Sequence, residues 1–240
     1  MNVDRIDNYW SDYFGIEKDE IGGDGLIVVP HNHLEGYNGA WIFKRKHRLI
    51  LSVKSNLINK ISAKINKKKP EGDNLFSKLY LDYVFDEKID RIIGPTYQGY
   101  FDDVETDIQL SKKVDKINFK EDYNLIERLS KSGDNEGWAN SGINRNNDGI
   151  YGYFHENKME SIACYNIIRG DVGFVGVYTN PKFRGMGFSY EVVKNVVSDL
   201  SIKGKLIIYQ TLISNKPSIR IAKKIGFEEY AANIAIRLKK

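Results

Sequence analysis

With 240 residues, 41% hydrophobic and 28% charged, the chain has the size and composition of one large or two small globular domains, which excludes wholesale disorder and fibrous repeats. Its single cysteine, Cys164, excludes an internal disulfide and fits a reducing, cytoplasmic setting. No apolar run approaches the roughly 18 residues of a membrane helix, and the first twenty residues lack the positive start and apolar core of a signal peptide. The net charge of +4 hides an asymmetry: residues 169–240 carry 13 basic against 5 acidic side chains, a field that favours an anionic partner.

In chain order, residues 8–15 are rich in aromatics, and Leu26 to Pro30 reads as a buried strand. Ala40 to Phe43 and Leu49 to Val53, parted by the charged residues 44–48, predict a hairpin. Leu57, Ile58, Ile61 and Ile65 recur at helical spacing, and the following Lys67 to Gly72 breaks that helix. The apolar block 75–85 reads as helical in its first part, and Arg91 to Phe101 as a strand interrupted by Gly94, Pro95 and Gly99. The polar stretch 102–115 places a domain boundary at 105/106. Beyond it, the pattern predicts a helix over 121–129, a Gly- and Asn-rich loop over 132–149, and paired strands over 150–155 and 160–168. The last seventy residues alternate as strand 172–179, helix 189–200, strand 206–210, helix 217–225 and strand 228–238, a βαβαβ order of the kind that forms parallel pairs.

The first of those strands runs into Asn180-Pro181-Lys182-Phe183-Arg184-Gly185-Met186-Gly187-Phe188-Ser189. Two glycines let the backbone turn sharply and expose consecutive N–H groups, and the first turn of the next helix adds unpaired amides with partial positive charge. The Arg184 guanidinium can fork across phosphate oxygens. By itself such a loop is also an ordinary tight turn, and neither the GxGxxG nor the GxxxxGK[ST] pattern is present.

Arg184 to Ser189, following a strand and Pro181, resembles the coenzyme A loop Q/R-x-x-G-x-G/A of the GNAT superfamily of N-acetyltransferases. Residues 211–227 are similar to that family's later segment, an asparagine, a short helix and then Gly226-Phe227. The resemblance covers about residues 120–240, while 28–43, 91–101 and 138–143 look like segments of bacterial two-domain members. It implies an α/β fold with a mixed sheet flanked by helices in the C-terminal half (106–240) and a smaller α/β N-terminal domain (1–105), a degenerate copy or a cover for the acceptor. It also implies acetyl-CoA as acetyl donor, without a metal. The amides of Phe183, Arg184, Gly185, Met186, Gly187, Phe188 and Ser189, with the Arg184 side chain, would hold its pyrophosphate. Val177, Tyr178 and Thr179 would pair with the pantetheine arm, Val177 N–H polarising the thioester, and Asn215 and Ser218 would support the arm.

The proton-transfer groups are less specified. The family's usual tyrosine, four positions before the glycine of Gly-Phe, is replaced here by Ala222. Tyr209 is then the candidate acid, with Tyr178 and Tyr230 as alternatives, and Glu136 and Glu160 are the candidate bases; each is equally an ordinary packing or surface residue. Trp138, Asn140 and Ser141 read as lining of an acceptor pocket or, for Trp138, as core. His31 and His33 form an H-x-H pair without the further ligands of a transition-metal site, Cys164 reads as a small buried hydrophobe, and Lys60, Lys64 and Lys67 to Lys69 as a solvated helix face. The chain is thus expected to be an N-acetyltransferase acting on a primary amine of a small molecule or protein, as monomer or homodimer, without nucleic-acid or membrane partners. The alternative is an acyl-CoA-binding module with weak or no turnover, and a third reading is nucleic-acid binding by the basic face, with affinity falling steeply as salt rises.

Overall fold

The computed structural model describes residues 3–34, 36–70, 77–86, 88–102 and 109–239. The expected boundary at 105/106 lies outside the described residues. By packing, the chain divides into two units, one comprising Asn2–Gln98, Thr211–Asn215 and Glu229–Lys240, the other Gly99–Gln210 and Lys216–Glu228.

The N-terminal unit begins with α1 (Val3–Phe14) and α2 (Lys18–Ile21), followed by β1 (Gly25–Pro30), β2 (Gly39–Arg45) and β3 (Arg48–Val53). After a 3₁₀ turn come α3 (Ile58–Lys67), α4 (Lys78–Phe85) and β4 (Ile89–Phe101), and the unit is completed by β10 (Glu228–Leu238). Its sheet runs β1-β3-β2-β10-β4. Side chains alternate across β2, so its two faces bury different partners. Ile42 joins Leu51, Ile234 and Ile236 against Ile61 and Ile65 of α3 and Leu81, Val84 and Phe85 of α4. Phe43 and Trp41 face α1, with Trp10 centred 4.7 Å from Phe43 and 5.5 Å from Trp41. Asp7 of α1 accepts hydrogen bonds from Arg45 and from the Tyr230 hydroxyl, which ties α1 to β2 and β10.

Several expectations change here. The aromatic stretch 8–15, to which the sequence assigned no element, lies in α1 as far as Phe14, where Ile6, Trp10 and Phe14 recur every four residues and are all buried. In the block 75–85 the helix occupies Lys78–Phe85, while 71–76 lie outside the described residues. β4 is one continuous strand; a Cβ at Gly94 would sit 2.7 Å from the Asn233 carbonyl oxygen, so this glycine permits close approach of β10 and does not end the strand. The closing strand β10 does not extend a parallel βαβαβ run, for it pairs antiparallel with β2, from Ala232↔Lys44 to Arg237↔Gly39.

The C-terminal unit contains β5 (Val114–Lys116), α5 (Tyr123–Ser130), α6 (Asn135–Asn140), β6 (Gly149–His155), β7 (Lys158–Ile168), β8 (Val172–Thr179), α7 (Phe188–Ile202), β9 (Leu206–Leu212) and α8 (Lys216–Ile225). Its strands run β9-β8-β7-β6-β5, parallel between β8 and β9 and antiparallel elsewhere. α7 lies on β6, β7 and β8, and Val192, Val193, Val196, Val197 and Leu200 are each fully buried. Burial of such side chains stabilises by about 1.5–3 kcal/mol each, well above the few tenths of a kcal/mol that a β-branched residue costs in a helix, so packing decides the conformation. Ile126 and Leu129 of α5 join Met159, Ile162 and Cys164 in a separate cluster. The loop expected over 132–149 contains the short helix α6, capped by Asp134, whose carboxylate accepts the Gly137 amide at 2.8 Å.

Candidate active site

β8 and β9 run together only from Val172↔Leu206 to Val175↔Tyr209. β8 continues as a strand to Thr179 because β7 pairs it over its full length, Ser161↔Thr179 to Ile168↔Val172. From Gly176 to Thr179 the side of β8 that faced β9 therefore has no strand partner among the described residues, and it offers a backbone edge to an extended ligand. Gly176 is required by packing on the sheet face, since a Cβ there would meet the Ser141 carbonyl oxygen at 2.0 Å.

The edge leads into the glycine loop. Asn180 Oδ1 accepts the Lys182 amide and starts a 3₁₀ turn over Pro181–Phe183. Gly185 and Gly187 then take φ of 84° and 85°, where an L side chain is strained, and α7 begins at Phe188. Of the amides expected to face a diphosphate, those of Phe183, Arg184 and Met186 are used within the loop, donating to Asn180 O, Pro181 O and Phe183 O. Among the described residues the amides of Gly185, Gly187, Phe188, Ser189 and Tyr190 have no acceptor. These make a nest of N–H groups at the positive end of a fifteen-residue helix.

Buried contacts hold the cradle. The Ser161, Thr179 and Ser189 hydroxyls form a chain with two 2.7 Å links, joining β7, β8 and the first turn of α7. Phe188 stacks on Tyr153 at 4.3 Å, and His155 and Phe183 pack beside them. The Arg184 guanidinium donates to the Thr179 carbonyl through Nε and to the Asp134 carboxylate through Nη2. That hydrogen bond, with the Gly137 amide, holds the Asp134 carboxyl below the usual carboxylate range.

The structure brings Val177, Tyr178, Thr179 and residues 183–189 together along this edge and loop. Tyr209, the last residue of β9 paired with β8, is 2% exposed and its hydroxyl lies 2.9 Å from Ser218 Oγ of α8. Burial pushes its phenol up to about 12, so it stays protonated at neutral pH. Tyr178 already has a partner, with its hydroxyl 2.8 Å from Ser132 Oγ and its ring edge-on to Trp138. Tyr230 contacts Asp7 in the N-terminal unit, and Asn215 also falls in that unit. Glu160 is buried below the loop, where its side chain accepts from Asn180 Nδ2 at 2.7 Å and its carbonyl from the Asn180 amide at 2.9 Å. Glu136 is exposed on α6, and Ala222 is fully buried. Both His31 ring nitrogens have partners, Ser52 Oγ at 2.8 Å and Gly39 O at 3.1 Å. Lys60 and Lys64 share Asp86, so that lysine cluster is partly neutralised. Among the described residues no group of three or more His, Cys, Asp or Glu side chains stands ready for a metal, and no helix is long and apolar enough to cross a membrane.

Sequence reasoning missed Asp134, Asn180 and Ser161. Asp134 carries a readable signal, an N-cap acid three residues before Gly137, but its pairing with Arg184 spans fifty residues of sequence and has no local signature.

The sequence profile of the FR47-like protein family matches residues 150–236, the stretch holding the splayed strands, the glycine loop and α8. Solved structures of GNAT-family proteins show a likeness of fold over more of the chain. A GNAT-family protein from Novosphingobium aromaticivorans superposes with a TM-score of 0.50 at 16% identity, covering 63% of this chain and 67% of its own. An acetyltransferase of the GNAT family from Colwellia psychrerythraea gives 0.50 at 11% identity, covering 80% and 77%. None of the curated proteins matches by sequence. At these identities the likeness is one of fold, and it agrees with the expected mixed sheet flanked by helices.

Proposed function

We propose that the chain is an acetyl-CoA-dependent N-acetyltransferase that brings donor and primary amine together for direct attack on the thioester. The observation that carries this reading is the continuity of the unpaired β8 edge, Gly176 to Thr179, with five open amides at Gly185 and Gly187 to Tyr190. An extended amide-bearing arm suits the former and a diphosphate the latter, the two chemistries that coenzyme A joins. Bound acetyl-CoA supplies the acetyl group. Val177, Tyr178 and Thr179 would hold the arm, with Ser218 supporting it. Residues 183–189 would cradle the diphosphate, Arg184 through its side chain and Gly185, Gly187, Phe188 and Ser189 through their amides. Glu136 is the better candidate to take the amine proton, because Glu160 is occupied by Asn180. Tyr209 would return a proton to the leaving thiolate from the mouth of the splay. The acceptor is a small-molecule or protein amine.

In thermal melts, acetyl-CoA at about a hundred times its dissociation constant is expected to stabilise the protein by about 2.7 kcal/mol, and Arg184→Glu to remove the shift. A wild-type midpoint unmoved by millimolar acetyl-CoA would overturn the reading.

A second reading, an acyl-CoA-binding module without turnover, is favoured by one observation: the family's acid position is the buried Ala222, and the alternative Tyr209 hydroxyl is already bonded to Ser218. Thiol release from acetyl-CoA across amines, polyamines, aminoglycosides and peptides separates the two. Release supports the transferase, and a silent panel alongside tight CoA binding supports the module.

A further inference from the structure

A cavity of about 700 Å³ surrounds the first two turns of α7 and reaches Gly187, where the row of open amides begins. Two ammonium groups converge on one ring within it: Lys224 Nζ lies 4.2 Å and Lys194 Nζ 4.8 Å from the centroid of Tyr190. Lys112 and Lys113 line the same cavity, and Glu191 is the one acidic residue among the described lining. Glu191 pairs with Lys194 at 3.0 Å, and Lys194 also donates to the Gln109 carbonyl at 2.9 Å, so this cation is fixed in place. Lys224 has no carboxylate partner among the described residues.

Among the described lining, four cations stand against one carboxylate, and the attraction of an ammonium to a half-buried tyrosine ring is a weak reason for two like charges to gather on it. A doubly charged anion between them would relieve their repulsion. The site is one helical turn from the amides assigned to the diphosphate, so the anion belongs on the same ligand. We infer that Lys224 and Lys194, steered by Tyr190, receive the 3′-phosphate of the coenzyme A ribose, and that the chain thereby selects the 3′-phosphorylated donor over its dephospho form. A phosphate monoester carries about −1.5 to −2 charges at pH 7, matching two ammonium groups. This inference rests on the donor reading above.

Isothermal titration calorimetry of the full chain at low ionic strength, with coenzyme A and with 3′-dephospho-coenzyme A, tests it. Wild type is expected to bind coenzyme A about tenfold tighter than the dephospho form, and Lys224→Gln to reduce that preference to about twofold. Glu191→Gln removes the competing carboxylate and is expected to widen the preference, a change of opposite sign that general damage would not produce. Circular dichroism of each variant checks its fold. Equal wild-type affinity for the two ligands, or an equal loss for both in Lys224→Gln, overturns the inference while leaving the donor reading standing. Failure of wild type to bind either ligand overturns both.

Discussion

Gly185 and Gly187 are glycines for a reason that differs from Gly94 and Gly176. Space is open where their Cβ atoms would stand, so only the positive φ demands glycine, and the turn is shaped by what it must present and not by what presses on it. At the same scale His31 is a neutral bridge: one ring nitrogen meets Ser52 Oγ and the other the Gly39 carbonyl, while burial pulls its pKa below the ordinary 6.5. A depressed folded-state pKa means that the unfolded chain takes up the proton first. The stability His31 provides is therefore complete above pH 6.5 and is lost as pH falls through the lower folded value. Melting midpoints measured from pH 7.5 to pH 5 should fall more steeply for wild type than for His31→Gln. Parallel profiles would show that the imidazole does not titrate with unfolding.

Among the elements, α6 is short and depends on its cap. Asp134 both accepts the Gly137 amide and neutralises Arg184, so one carboxylate anchors the helix and competes with a phosphate for the same guanidinium. Asp134→Asn keeps a capping oxygen and removes the charge. Coenzyme A affinity should rise about threefold at low salt with the melting midpoint of the free protein little changed, as calorimetry and melts together would record. Asp134→Ala should add a loss of about 1 kcal/mol of stability from the missing cap.

What was legible at this scale follows physical lines. β8, α7, β9, α8 and β10 lie within two residues of their sequence limits, because valine- and isoleucine-rich runs bounded by glycine, proline and asparagine leave few alternatives. α6 has no apolar period to read, and in α1 Tyr9 and Tyr13 obscure the spacing of Ile6, Trp10 and Phe14. In the site, the glycine loop declares itself locally. The splay beyond Val175, the tie from Arg184 to Asp134 and the meeting of Lys224 with Tyr190 depend on pairing between distant segments, which no local pattern encodes.

For the whole molecule, the connectivity matters most within the N-terminal unit. Its sheet places β10 between β2 and β4, so a strand from the far end of the sequence is an interior strand there, with Ile234 and Ile236 buried. Removing residues 229–240 should therefore expose the backbone edges of β2 and β4 together with the Ile42 and Leu51 face. Limited proteolysis is expected to cut rapidly within residues 3–98 of the truncated chain, and comparable resistance to intact protein would contradict this assignment of β10. A contiguous fragment of residues 1–98 should fail to fold for the same reason.

That placement of β10 also sets an order of events at the ribosome. The first three strands emerge early but cannot acquire their central neighbour until nearly all other described residues have been made. With translation at about 5–20 residues per second, the early strands wait on the order of ten seconds in an unfinished state. Nascent chains of this protein are accordingly candidates for chaperone protection during synthesis, and slowing elongation should increase aggregation where it spares proteins whose sheets close in sequence order.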